Sequence, residues 1–126
     1  MRTFGGAGIA SAMIGLLALA GTAVASDQFY DGKWLGAGQS VDAECPPFDF
    51  SVSVNGSAVE GVARQTGDEY RITGSVDADG EFIGEVEFLW MTIAELTGDI
   101  GHSEGEGAWR TLEGPNCSGT FWVRRG

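Results

Sequence analysis

Positive charge is the first shortage. Seven Lys and Arg stand against 18 Asp and Glu, with a single His, for a formal net charge of −11. Nucleic acids and anionic bilayers are both held through basic patches, so neither is expected as a partner. Cysteine occurs twice, at Cys45 and Cys117. Neither has a second Cys or His at ligand spacing, which a structural metal site would need. There is no H-E-x-x-H and no reactive-cysteine context, so no enzyme activity and no cofactor are expected. Proline occurs three times, and the Pro46-Pro47 pair cannot join a central β-ladder. Past Ala25 no apolar run approaches the ~20 residues of a spanning helix.

The N-terminus has the features of a secretory signal peptide. Arg2 supplies a short positive region, Ile9 to Ala20 is apolar or small, and Ala23-Val24-Ala25 is an A-x-A cleavage site. Residues 1–25 are therefore read as a signal peptide and 26–126 as one exported domain, periplasmic or extracellular. Removing Arg2 leaves six basic against 18 acidic residues, a formal charge of −12. In an oxidising compartment two cysteines read as one disulfide, Cys45–Cys117. Closing so long a loop stabilises a small domain by about 4 kcal/mol in the chain-entropy relation.

Glycine is plentiful, with 21 residues, and it punctuates strands. Tyr70 to Trp90 is the clearest module. Tyr70, Ile72, Gly74 and Val76 share one face, Asp77-Ala-Asp-Gly80 turns the chain, and Phe82, Gly84, Val86, Phe88 and Trp90 share the next. Period-2 alternation around a glycine turn marks a β-hairpin. Phe48 to Val54 alternates as cleanly and ends at Asn55-Gly56, a type I′ turn signal. Further strands are read at Lys33–Val41, Ser57–Gln65, about Thr92–Ile100, Gly105–Leu112 and Cys117–Arg125. A helix over Leu89–Leu96 is the rival at the sixth. Eight short strands with regular turns imply an all-β domain.

Two features favour an eight-stranded up-and-down antiparallel barrel. Glycine recurs near the middle of seven strands, where it lets a sheet bend sharply. In a meander the even strands all start at one end, so Cys45 and Cys117 share that end. Only closure of the last strand onto the first brings them within bonding reach.

The Gly32-x-Trp34-x-Gly36 opening, the Asp-Gly hairpin tips and Gly80-Glu-Phe-Ile-Gly-Glu85 resemble the strand style of avidin-like and lipocalin-like barrels. The chain from residue 26 onward also resembles small exported glycine-rich bacterial β-barrel proteins. The resemblance implies architecture and brings no functional motif with it.

Inward aromatics are the leading candidates for function. An eight-stranded interior is either filled by side chains or wide enough for one small ligand. Trp34, Tyr70, Trp90 and Trp109 are the expected ligand-binding residues. Other clusters have simpler readings. His102, Glu104 and Glu106 at i, i+2, i+4 suggest a cation patch but read as solvated acids beside a loop histidine. Asp77-x-Asp79-Gly80-Glu81 lacks most ligands of a calcium loop and reads as a turn. Asn55-Gly-Ser57 and Asn116-Cys-Ser118 match the glycosylation sequon but sit at turns, and Glu85, Glu87 and Glu95 read as exposed. The polar outward faces exclude an outer-membrane barrel, leaving outward Ile83, Leu89 and Trp122 unexplained. Two functions remain: an exported binding protein for a small apolar ligand, or a protein–protein or inhibitor module using the acidic exterior and Trp122.

Overall fold

Alternating small, β-branched and aromatic residues dictate the strands. The computed structural model describes residues 28–42 and 44–126; the expected signal peptide lies outside them. Eight strands follow in order: β1 (Gly32–Ser40), β2 (Phe48–Asn55), β3 (Ala58–Gln65), β4 (Asp68–Val76), β5 (Glu81–Phe88), β6 (Met91–Ile100), β7 (Glu104–Thr111) and β8 (Ser118–Arg125). Each pairs antiparallel with the next, and β8 pairs with β1 to close the barrel. The expected disulfide is formed, with the Cα atoms of Cys45 and Cys117 6.1 Å apart.

Residues 91–100 are strand, so the helical alternative for this region is set aside. A helix there would strand the edges of β5 and β7, whose backbone groups β6 satisfies on both sides. The β2–β3 turn also differs from expectation. Asn55 pairs with Ala58, so Gly56 and Ser57 are the central residues, with Gly56 at φ +69°. The tertiary environment favours this turn: the Gly56 N–H donates to the Asp31 carboxylate at 2.7 Å. The register also sets Phe50 opposite Ala63 and Val52 opposite Gly61, large against small.

Two glycines show why the barrel needs them. A Cβ on Gly36 would fall on the Phe50 ring, so the tip of that ring occupies the place where a side chain would otherwise stand. A Cβ on Gly119 would strike the backbone carbonyl of Gln39 across the β8–β1 seam. Closure brings these two strands too close for any other residue at that point.

The interior is filled at one end. Trp34, Ile72, Phe82 and Leu96 are fully or almost fully buried, and Phe121 stacks edge-on against both Phe50 and Phe82. The chain before β1 caps this end. The Trp34 indole Nε1 donates to the Tyr30 carbonyl at 2.9 Å. Arg125 locks the cap from the last strand. Its guanidinium donates to the carbonyls of Asp31 at 2.6 Å, Phe29 at 2.8 Å and His102 at 2.7 Å. It also lies 4.6 Å from the Trp34 ring centroid, in a cation–π contact. One side chain thus ties the N-terminal lead, the β6–β7 loop and the core tryptophan together.

Candidate functional site

Even strands begin, and odd strands end, at the opposite mouth. The β1–β2 loop, the β3–β4 turn, the β5–β6 turn and the β7–β8 loop therefore converge there. The small Ala63 and Ala94 stand inward at this level beside the aromatic residues. A cavity of about 520 Å³ opens between them. Val86 and Leu96 belong to its inner lining; Phe48, Tyr70 and Trp109 form aromatic walls; and the disulfide closes one side. The volume lies within the ~300–1,000 Å³ of small-molecule pockets.

The walls are held by one another and by groups beyond the cavity. Trp109 extends inward from β7, and its Nε1 donates to the Gln39 carbonyl at 3.1 Å across the sheet. Phe48 meets it edge-on at 5.1 Å between ring centroids. Tyr70 packs against Phe88 at 5.5 Å. Hydrogen bonds fasten the two long loops. Thr111 Oγ1 donates to the Pro115 carbonyl at 2.7 Å and accepts the Cys117 N–H at 2.9 Å. Gln65 Nε2 donates to the Pro46 carbonyl at 2.9 Å. The disulfide then joins the two loops to each other and braces the mouth.

Of the four expected ligand residues, the fold brings Tyr70 and Trp109 together on the cavity. Trp34 stands at the capped end, wholly buried and engaged with Tyr30 and Arg125, and does not line it. Trp90 is 87 % exposed in the β5–β6 turn. The expected inward run through Phe88 and Trp90 stops because β5 ends at Phe88 and Leu89 takes φ +59°. Phe88 keeps the inward parity but stands at the rim. Four consecutive apolar residues, Phe88 to Met91, are consequently exposed at this tip.

Ile93 is a lining residue that alternation does not reveal. Val86 pairs with Ala94 and Glu87 with Thr92, so Ile93 is the extra residue of a β-bulge. Its carbonyl accepts the Leu112 N–H at 2.8 Å, which joins the bulge to the β7–β8 loop. The rim acids Asp42, Glu44 and Glu113 also line the cavity, and no spacing rule connects residues this far apart in sequence.

The remaining clusters resolve into structure. β7 begins at Glu104, so His102 lies in the preceding loop against the Phe29 ring at 5.3 Å and is not in line with Glu104 and Glu106. The Asp77 carboxylate accepts the N–H groups of Asp79 and Glu81, which accounts for the calcium-like spelling as an Asx turn. Glu95 pairs with Arg110 at 2.6 Å, and Glu87 accepts the Thr73 hydroxyl at 3.3 Å. Among the described residues no three His, Cys, Asp or Glu are grouped to hold a metal ion. A wider depression of about 770 Å³ lies on the outer wall beside Trp122. It has less apolar enclosure than the mouth, which is why the mouth is the candidate. Comparison of the chain with family models, with curated proteins and with solved structures finds no match.

Proposed function

We propose that this chain is an exported binding protein whose barrel takes one small apolar ligand in the disulfide-braced mouth. One observation carries the reading: a cavity of about 520 Å³ remains above a packed core, walled by Phe48, Tyr70 and Trp109. A barrel evolved only as a rigid scaffold gains by filling such a space, because lost contacts around a void cost stability. The disulfide accords with an oxidising compartment outside the cytoplasm.

The test is a fluorescence titration with the neutral probe N-phenyl-1-naphthylamine. Saturable probe enhancement is expected, with quenching of Trp109. Ala94→Phe, which plugs the cavity from β6, abolishes it while circular dichroism still shows the folded barrel. Absence of saturable binding, or binding indifferent to the plug, overturns the proposal.

A second reading draws on the exposed tip Phe88 to Met91 and half-exposed Trp122: a protein-interaction or inhibitor module. It predicts that Trp90→Ser abolishes recovery of a specific partner from exported fractions and leaves probe binding intact. Recovery of nothing at low and moderate salt counts against it.

A further inference from the structure

The cavity has a charge as well as a shape. Its titratable lining is of one sign: Asp42 and Glu44 from the β1–β2 loop and Glu113 from the β7–β8 loop, with no Lys, Arg or His among the described lining residues. Arg64, Arg71 and Arg110, on the strands that reach this end, are exposed and are not part of the lining. Arg64 pairs on the outer wall with Asp49 at 3.7 Å and Glu69 at 3.4 Å. Arg110 is held by Glu95. Below the acids the surface turns apolar and aromatic. A guest entering this site therefore passes the carboxylates at the rim and then meets hydrocarbon and rings.

Resting on the ligand-binding reading above, we infer that the ligand is a cationic amphiphile: an apolar body seated between Phe48, Tyr70 and Trp109, with an ammonium or similar cationic head at the acidic rim. The chemistry rejects the converse. A fatty carboxylate would place its charge beside three others of the same sign, with no cation to offset it, and like charges at close range repel even when water screens them. A neutral alcohol would gain the burial and neither gain nor lose at the rim. The aromatic walls add to the preference, since ring faces attract cations that approach them.

The experiment compares octylamine, octanol and octanoate, which share one chain and differ in head charge. Each displaces N-phenyl-1-naphthylamine from the full chain at pH 7. The amine is expected to displace the probe at roughly tenfold lower concentration than the carboxylate, with the alcohol between, and the gap is expected to shrink with added salt. The triple variant Asp42→Asn/Glu44→Gln/Glu113→Gln should bring the three curves together. The charge-matched control Glu60→Gln/Glu85→Gln/Glu106→Gln, on the outer wall, should leave them apart. Equal displacement by all three in the unaltered chain overturns the inference while the binding reading stands. An amine preference that survives the rim variant, or that the control variant removes equally, assigns it to bulk charge and also overturns the inference. Failure of the probe itself to bind removes the binding reading and this one together.

Discussion

Removing the disulfide is the sharpest perturbation of this fold. Cys45 and Cys117 are 72 residues apart, so the bond closes a loop that covers most of the barrel. The chain-entropy relation for a loop of that size gives about 4 kcal/mol at 25 °C. Small domains are stable by roughly 5–15 kcal/mol in total, so the loss is a large fraction of the whole. The variant Cys45→Ala/Cys117→Ala should unfold in guanidinium at a much lower midpoint. Its melting temperature should fall by roughly 15–30 °C, taking ~4–8 °C per kcal/mol for a domain of this size. Because the constraint acts on the unfolded chain, its release should also expand that state and steepen the denaturant dependence. The native barrel itself should persist, since all eight ladders are hydrogen-bonded without the bond. Equilibrium denaturation of the oxidised chain, the reduced chain and the double variant measures the effect. A loss below about 1 kcal/mol in both disulfide-free forms would refute the entropic reasoning. A variant with no β-sheet signal at all would show that the ladder does not close without the bond.

Three further perturbations probe other parts of the structure. Arg125→Met removes three donor contacts and the cation–π contact at the capped end. The freed carbonyls can turn to water, so the expected loss is about 1–3 kcal/mol, with a red shift of Trp34 emission; unchanged stability and emission would mean that the cap holds without it. Leu89→Gly relieves a left-handed backbone that a branched side chain rarely adopts, and denaturation should show a gain of about 0.5–1.5 kcal/mol; a loss would show that the exposed leucine contributes packing that outweighs the strain. Gly36→Ala forces the Phe50 ring from its seat and should cost about 1–3 kcal/mol, part of it recovered in Gly36→Ala/Phe50→Leu; additivity of the two changes would deny that they share the space.

The eight strands, their antiparallel order and the pairing of the two cysteines were legible in the chain. Period-2 alternation, glycine punctuation and the shared end of the even strands are local signals, and a meander translates them directly into neighbours. Phe48, Phe50 and Val52 read inward and stand inward. The errors gather where a local signal is overruled by something distant. Asn55-Gly56 has the residues of a type I′ turn, but the Asp31 carboxylate, 25 residues earlier, takes the Gly56 N–H and the turn moves on by one. Trp90 has the parity of a core residue, yet a two-residue turn at Leu89 ends the strand before reaching it.

The candidate site was half legible. Tyr70 and Trp109 are aromatic residues on the inner faces of their strands, and inner faces are periodic. Ile93 arrives through a bulge, which breaks the period that alternation depends on. Which end of the barrel stays open, and that Trp34 belongs to the closed end, depends on how Arg125, Tyr30 and the N-terminal lead pack together across the whole chain. Local pattern alone determined that the ribbon is pleated and how it turns back on itself, because those choices are made by residues one or two positions apart. Tertiary structure alone decided where the interior is left unfilled and that three acids gather at that opening, because side-chain volumes and loop ends meet there only after the barrel has closed.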